Sequence, residues 1–138
     1  MTLGEASPSA YYLRYESAVP DRHGRYPGIF AMLRGLRESG RMSEADGALA
    51  EELVARSYAL HDEPDATVFE TTPRAISWFV AGGERSTALR TLAEDVARLL
   101  ARYGIATRVV RTTDPGRITF ADDVQVVAVP RTDADWPF

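Results

Sequence analysis

The chain has 138 residues, of which 45% are hydrophobic and 26% are charged, as expected for one globular domain with its own core. It contains no cysteine, which excludes disulfide bonds, thiol catalysis and metal centres built from thiolates. The net charge of −4 argues against non-specific nucleic-acid binding, because the affinity of such proteins comes mainly from cationic contacts with phosphates.

Residues 1–9 are mostly small and polar, and we expect them to form a loose, disordered tail. Residues 10–130 carry the patterned elements of a single domain, and residues 131–138 form a C-terminal tail. No apolar run approaches the roughly 18 residues of a membrane span. The first residues also lack the basic start and apolar stretch of a signal peptide. These features predict a cytoplasmic protein with no membrane partner.

The first predicted element is a strand over Tyr11–Val19, in which apolar and polar side chains alternate. The loop from Pro20 to Pro27 follows, with a dense set of polar side chains. Pro27 suits the first position of a helix, where its missing N–H costs nothing. Gly40 suits the residue after the helix end. A helix is therefore predicted from Pro27 to just before Gly40.

A second helix is predicted from Glu44 to about Leu60. It begins with Ser43 and Asp46, whose spacing resembles a capping box. Its expected apolar face consists of Ala45, Leu49, Leu53, Val54 and Tyr58. Because only a few residues separate the first two helices, we expect them to form an antiparallel αα-hairpin.

A strand over Arg74–Val80 is followed by Gly82-Gly83 and a long amphipathic helix from Glu84 to Tyr103. The apolar residues of this helix recur with a period close to 3.6 residues. They are Leu89, Leu92, Val96, Leu99, Leu100 and Tyr103. Gly104 then ends the helix.

Three short β segments complete the domain, at Ile105–Thr112, Arg117–Phe120 and Val124–Val129. The sequence Asp114-Pro115-Gly116 predicts a tight turn between the first two, with glycine at the position of positive φ. The sequence Ala121-Asp122-Asp123 predicts a second turn before the last strand.

Together these elements predict an α+β fold with a mixed, largely antiparallel four- to five-stranded sheet, one long packing helix and an αα-hairpin. Strands 74–80 and 105–112 would run parallel if they are neighbours, joined by a right-handed crossover. The long helix would pack on one face of the sheet. The αα-hairpin would pack nearby or cap the end of the sheet.

The polar face of the first strand and the 20–27 loop could meet the strand that carries Trp78 and line a ligand pocket. A solvated strand face, an exposed connector and a core tryptophan would explain the same residues. The candidate ligand-binding residues are Tyr12, Arg14, Glu16, Arg22, His23, Tyr26 and Trp78.

Other possible chemical centres carry weaker signals. Gly82-Gly83 precedes a helix N-terminus, a place suited to anions, but the segment contains neither a Walker motif nor a dinucleotide fingerprint. Asp122 and Asp123 could act as paired carboxylates, yet they fit a hairpin turn better.

The histidines offer little support for a metal site. Asp21 with His23, and His61 with Asp62, match no ligand pattern of known specificity. We therefore expect no metal and no cofactor.

Several segments resemble a group of small hypothetical proteins of high-GC actinobacteria. The segments are Arg25-Tyr26-Pro27-Gly28-Ile29-Phe30, Ser77-Trp78-Phe79, Asp114-Pro115-Gly116 and Asp122-Asp123-Val124-Gln125-Val126-Val127. All 16 basic residues are arginines, which fits a high-GC genome. The resemblance would cover most of residues 10–130, but it implies no known activity and assigns no residue a role. Val80 replaces the basic residue that usually follows Trp-Phe in this pattern.

Two classes of function follow from these features. An interaction or accessory protein, of the inhibitor, immunity or regulatory-subunit type, is favoured by the small size, the acidity and the lack of a recognisable catalytic constellation. The alternative is a small-molecule-binding protein or small enzyme with a cleft between the αα-hairpin and the sheet. The expected partner is a protein or a small molecule, and a homodimer is possible. Nucleic-acid binding would require the arginines to converge on one face.

Overall fold

The computed structural model describes residues 11–60, 75–82 and 84–130. The two predicted tails, the His61-Asp62 pair, Arg74 and Gly83 lie outside these residues. In the described part, three helices and a five-stranded antiparallel sheet form an α+β fold, which confirms the predicted class. In chain order the elements are β1 (Tyr12–Ser17), α1 (Ile29–Glu38), α2 (Glu44–Leu60), β2 (Ile76–Val80), α3 (Glu84–Ala101), β3 (Thr107–Thr112), β4 (Arg117–Ala121) and β5 (Gln125–Val129).

The strand order is β3-β1-β2-β5-β4, and each neighbouring pair runs antiparallel. β2 and β3 are not neighbours, because β1 lies between them and pairs with both. The parallel pair expected between strands 74–80 and 105–112 is therefore absent from the described sheet. β1 and β3 pair along their whole length, from Tyr12 opposite Thr112 to Ser17 opposite Thr107.

The main core lies between one face of the sheet and the helices. Leu13 and Tyr15 of β1 are buried there against Leu33 of α1, Leu53 of α2 and Val96 of α3. Side chains alternate along a strand, so Tyr12, Arg14 and Glu16 of β1 lie on the opposite face.

The opposite face of the sheet carries a smaller apolar cluster. Ile76 and Trp78 of β2 and Val126 of β5 form its buried centre. Partly buried hydrophobic residues pack around them, namely Tyr12, Tyr26, Val80 and Val110. The sheet is therefore apolar on both faces at β2, as the sequence of that strand indicates.

The apolar pattern of α3 predicts its buried face correctly. Its buried residues include Leu89, Leu92, Val96, Leu99 and Leu100. The helix ends at Ala101, two residues before the predicted end, and Gly104 then adopts a φ of 77°. No helix within the described residues combines the length and apolar character that a membrane crossing requires.

The start of α1 differs from the prediction. The helix begins at Ile29, and Gly28 is its N-cap with extended backbone angles, so Pro27 lies outside the helix. The Pro27 carbonyl accepts a hydrogen bond of 2.8 Å from the backbone N–H of Ser17, and Gly28 pairs with Glu16. Pairing with β1 therefore holds residues 27–28 in an extended conformation, so the helix begins only at Ile29.

The start of α2 confirms one half of the predicted capping box, since the Ser43 hydroxyl accepts a hydrogen bond of 3.1 Å from the backbone N–H of Asp46. The reciprocal bond does not form, because the Ser43 N–H donates to the Tyr103 hydroxyl at 3.1 Å. The predicted apolar face is partly wrong. Leu53 and Val54 are buried, but Tyr58 is 49% exposed and Ser57 is buried beside it. The buried face of α2 is therefore shifted by one residue, so that Ser57 rather than Tyr58 points into the core.

Candidate functional site

β1 and β2 separate soon after they meet. They pair only at Tyr12 with Val80 and at Leu13 with Phe79. Further along β1, Glu16 pairs with Gly28 instead of with β2. A gap therefore opens between the two strands, bounded at its far end by the segment that leads into α1.

The Arg14 guanidinium lies in this gap and joins its sides. Its Nη1 donates to the Ser77 carbonyl at 3.2 Å, and its Nη2 donates to the Tyr26 carbonyl at 3.1 Å. Its Nε donates to a carboxylate oxygen of Glu16 at 2.8 Å. A Cβ atom at Gly28 would lie 3.5 Å from Arg14 Nη2, so the chain passes close to the guanidinium.

A cavity of about 400 Å³ lies beside the gap, on the face of the sheet that carries the helices. It is bounded by β1 and β2, by the first two turns of α1, and by the last turn of α2. The exposed Tyr58 and Ala31 lie on its wall, so it reaches the protein surface. The lining residues are Leu13, Arg14, Tyr15, Gly28, Ile29, Phe30, Ala31, Arg34, Ser57, Tyr58, Ala75, Ile76, Ser77, Phe79 and Gln125.

The walls combine apolar rings with positive charge. Tyr15, Phe30, Tyr58 and Phe79 contribute aromatic surface, and the rings of Phe30 and Phe79 meet edge to face with centroids 6.1 Å apart. Two arginines line the cavity, whereas no aspartate or glutamate is found among its described lining residues. The described part of the cavity wall is therefore largely apolar and carries cationic but no anionic side chains.

The first turn of α1 adds to this positive character. Gly28 caps the helix without a side-chain hydrogen bond, and the first turn contains no acidic residue. The first backbone N–H groups of a helix have no partner within the helix and carry a partial positive charge. Three of the residues that line the cavity, Ile29, Phe30 and Ala31, belong to this turn.

A buried charge cluster lies next to the cavity, on the other side of Arg14. The Glu16 side chain is fully buried. Its second carboxylate oxygen accepts a hydrogen bond from Arg108 Nε at 2.8 Å and forms an ion pair with Arg108 Nη2 at 2.7 Å. The Arg108 guanidinium also lies 4.0 Å from the centre of the Tyr26 ring. Burial raises the pKa of Glu16, and the hydrogen bonds and charges of the two arginines oppose this rise.

The structure brings five of the seven predicted site residues to this region. Arg14 and Glu16 form an ion pair. The Tyr26 carbonyl accepts a hydrogen bond from Arg14, and the Tyr26 ring lies against the Arg108 guanidinium. Tyr12 and Trp78 lie in the smaller apolar cluster on the same face as Glu16. Of these five residues, Arg14 alone also lines the cavity.

The other two predicted residues lie apart, in an exposed turn of the 20–27 loop. Asp21 holds this turn, because its carboxylate accepts the backbone N–H groups of His23 at 2.8 Å and Arg25 at 3.0 Å. Gly24 follows with a φ of 75°. Arg22 and His23 contact each other at 3.3 Å between Nε and Nε2, and neither lines the cavity.

The predicted turn at Asp122 is confirmed. Its carboxylate accepts the backbone N–H groups of Val124 and Gln125, each at 2.9 Å, as a turn residue does. The neighbouring Asp123 pairs instead with Arg85 at 2.8 Å, so the two carboxylates have separate structural partners. Within residues 11–60, 75–82 and 84–130, no cluster of three or more His, Asp or Glu side chains could hold a metal ion.

The sequence patterns did not predict Arg34, Ser57 and Tyr58 as cavity residues. In the sequence they belong to two helices whose patterns indicate only a core face and a solvent face. One local feature of the sequence does bear on the cavity: the first turn of α1, which lines it, follows Tyr26-Pro27-Gly28 and contains no acidic residue.

Comparisons of the chain with models of known protein families, with curated proteins and with solved structures give no match. The chemistry of the cavity is therefore the basis of the functional proposal.

Proposed function

We propose that the protein binds a small organic molecule in the cavity between α1, α2 and the β1–β2 gap. The cavity itself carries this proposal, since about 400 Å³ lies within the range of pockets that enclose small ligands. Its mixture of aromatic walls with a few polar groups is also typical of such pockets. This proposal corresponds to the cleft between helices and sheet that the sequence suggests as the alternative function.

The chemistry of the walls favours binding over catalysis. Acid–base catalysis usually requires an imidazole or a carboxylate near the reacting atoms. The described residues that line the cavity include neither group. The buried Ser57 hydroxyl donates to the Val54 carbonyl at 2.7 Å, and no described lining residue could act as its base.

The proposal is tested by screening small amphipathic compounds against the ¹⁵N-labelled protein and mapping chemical-shift changes. We expect changes at backbone amides around the cavity, in α1, at the end of α2 and in β2. Ala31 is exposed and lines the cavity, so Ala31→Trp adds bulk there without displacing a core side chain. Ala48 is exposed on α2 and does not line the cavity, so Ala48→Trp is the matched control.

Ala31→Trp should abolish the shift changes, and Ala48→Trp should leave them unchanged. Binding that maps to another surface, or that survives Ala31→Trp, would contradict the proposal.

A second candidate is the interaction or accessory protein of the inhibitor, immunity or regulatory-subunit type. The edges of the sheet favour it, because β3 and β4 each have one neighbouring strand in the described sheet. Large hydrophobic residues are exposed on both edges, with Val109 at 54% and Ile118 at 45%. Exposed edge strands can pair with strands of another chain.

This candidate predicts one stable partner in native lysate, or a homodimer in sedimentation experiments, that Val109→Lys or Ile118→Lys weakens. Val19 is 61% exposed in the loop after β1, so Val19→Lys is a matched control with no expected effect. A protein that stays monomeric and captures nothing would count against this function.

A further inference from the structure

We infer that the ligand of the cavity is an organic monoanion, a carboxylate on an apolar body, whose carboxylate is held by Arg34. This inference rests on the proposed function, because it names the class of molecule that the same cavity takes. It depends on the different situations of the two arginines on the cavity wall.

Arg14 is already engaged by the protein. It forms an ion pair with Glu16 and donates to two backbone carbonyls, so its charge is compensated inside the fold. Burial lowers the pKa of Arg14, and the charge of Glu16 opposes this change. A guanidinium nevertheless stays protonated in proteins. Arg14 therefore forms part of the cavity wall, but its charge is already compensated by Glu16.

Arg34 is different. It is partly buried on the cavity wall, and within the described residues its guanidinium makes no hydrogen bond or ion pair. By contrast, ion pairs engage Arg85, Arg98 and Arg102 on the protein surface. A partly buried cation favours an anionic ligand when it faces an apolar cavity whose described lining residues include no acid.

The position of Arg34 on α1 places it near a second source of positive potential. Ala31 and Arg34 are three residues apart, so they lie on the same face of the helix and both line the cavity. Helical side chains lean toward the N-terminus, which directs Arg34 toward the first turn of α1. The uncapped first turn adds its partial positive charge to that of the guanidinium.

The rest of the cavity is suited to an apolar body. Leu13 and Tyr15 are buried in its wall, and the rings of Phe30 and Phe79 stand beside them. One guanidinium with no counterion among the described residues matches one negative charge, and a carboxylate can accept two parallel hydrogen bonds from it. A monoanionic carboxylate with a ring or short alkyl chain therefore matches both the charge and the walls.

The test compares ligands that share a body and differ in charge. The probes are 3-phenylpropionate, its neutral amide and 3-phenylpropylamine, together with octanoate, octanamide and octylamine. Dissociation constants are measured by calorimetry or by NMR titration at neutral pH. We expect each carboxylate to bind at least about tenfold more tightly than its amide, since hydrogen bonds between charged groups are the stronger ones. The amines should bind weakest.

Variants then assign the charge to Arg34. Arg34→Gln should weaken carboxylate binding by about tenfold and leave amide binding nearly unchanged. Arg34→Lys keeps the charge but not the planar fork, so the affinity should fall between the two. Arg37 lies on the same helix and does not line the cavity, so Arg37→Gln makes the same charge change as a control.

The outcomes separate this inference from the proposed function. If the amides or amines bind at the cavity as tightly as the carboxylates, the inference fails and the proposed function stands. If the carboxylates are preferred but Arg34→Gln has no effect beyond that of Arg37→Gln, the assignment to Arg34 is wrong. If none of the six compounds binds at millimolar concentration, the inference fails, and the wider screen with Ala31→Trp decides the proposed function separately.

Discussion

Glu16 and Arg108 face each other across β1 and β3, and two nitrogens of the Arg108 guanidinium bind the same carboxylate oxygen at 2.8 and 2.7 Å. The Glu16 side chain is fully buried, whereas that of Arg108 is 38% exposed. Arg14 holds the other carboxylate oxygen, so one buried anion joins two cations from the neighbouring strands β1 and β3. The charge of Glu16 is therefore needed to compensate a guanidinium that water reaches poorly.

Glu16→Gln should destabilise the protein by about 3 kcal/mol, because it leaves the largely buried Arg14 cation without its counterion. The free energy of unfolding in urea measures the effect. Glu38 is exposed at the end of α1, and Glu38→Gln should change stability by no more than about 0.5 kcal/mol. Equal effects of the two substitutions would show that the buried ion pair contributes little to the free energy of unfolding.

Arg14→Lys tests the role of the guanidinium as a link across the β1–β2 gap. A lysine carries its donors on one atom and cannot reach Glu16 and the Ser77 and Tyr26 carbonyls in the same geometry. We expect a loss of about 1–3 kcal/mol. Hydrogen exchange at the Ser17 amide, which binds the Pro27 carbonyl beside the gap, should become faster.

The control for this prediction is Arg37→Lys, which makes the same arginine-to-lysine change at a position away from the gap. It should leave the Ser17 exchange rate unchanged. An unaltered rate in Arg14→Lys would mean that pairing of β1 with residues 27–28 does not depend on the guanidinium.

Asp46 should contribute to stability in a pH-dependent manner. The hydroxyl of Tyr103 donates to its carboxylate at 2.7 Å, and Arg102 binds the other oxygen at 2.7 Å. Tyr103 above all, with the help of Arg102 and Ser43, holds the pKa of Asp46 below its usual value of 3.8. A lowered pKa in the folded state gives stability that is complete above pH 3.8 and is lost as the pH falls through the folded value.

Asp46→Asn should therefore reduce stability at neutral pH and flatten the acid limb of the curve of stability against pH. Urea unfolding at several pH values between neutrality and acid measures this curve. Glu52 is an exposed acid on the same helix, so Glu52→Gln is the control and should leave the curve nearly unchanged. A variant curve parallel to that of the wild type would contradict the role of Asp46.

Gly116 and Gly35 should respond to alanine in opposite directions. Gly116 has a φ of 111°, and a Cβ atom there would lie 2.1 Å from the Val129 carbonyl oxygen. Gly116→Ala should cost more than about 2 kcal/mol, because both the backbone angle and the contact oppose it. Gly35 lies within α1 with no atom within 4 Å of the added Cβ, so Gly35→Ala should stabilise by about 0.5–1 kcal/mol.

Thermal unfolding of the two alanine variants gives the direct comparison. A similar midpoint for both would mean that the turn before β4 adjusts without cost, contrary to the close approach of Val129.

Local features were predictable from sequence because short-range geometry decides them. The period of apolar residues identifies the buried face of α3, and the spacing of Ser43 and Asp46 identifies the start of α2. The Asp122 turn and the positive φ of Gly116 likewise follow from a few adjacent residues. The same local patterns were sufficient to predict the α+β class.

The strand order of the sheet and the position of the cavity could be determined only from the tertiary structure. β1 lies between β2 and β3, and no local pattern specifies that a strand from the start of the chain inserts there. The early separation of β1 from β2 leaves space that Arg14 fills on one side and the cavity occupies on the other. Arg34 and Tyr58 come from two helices and meet at this space only because both helices pack over the same gap. Sequence periodicity identifies which face of an element is apolar, but the partner of that face is set by the packing of the whole chain.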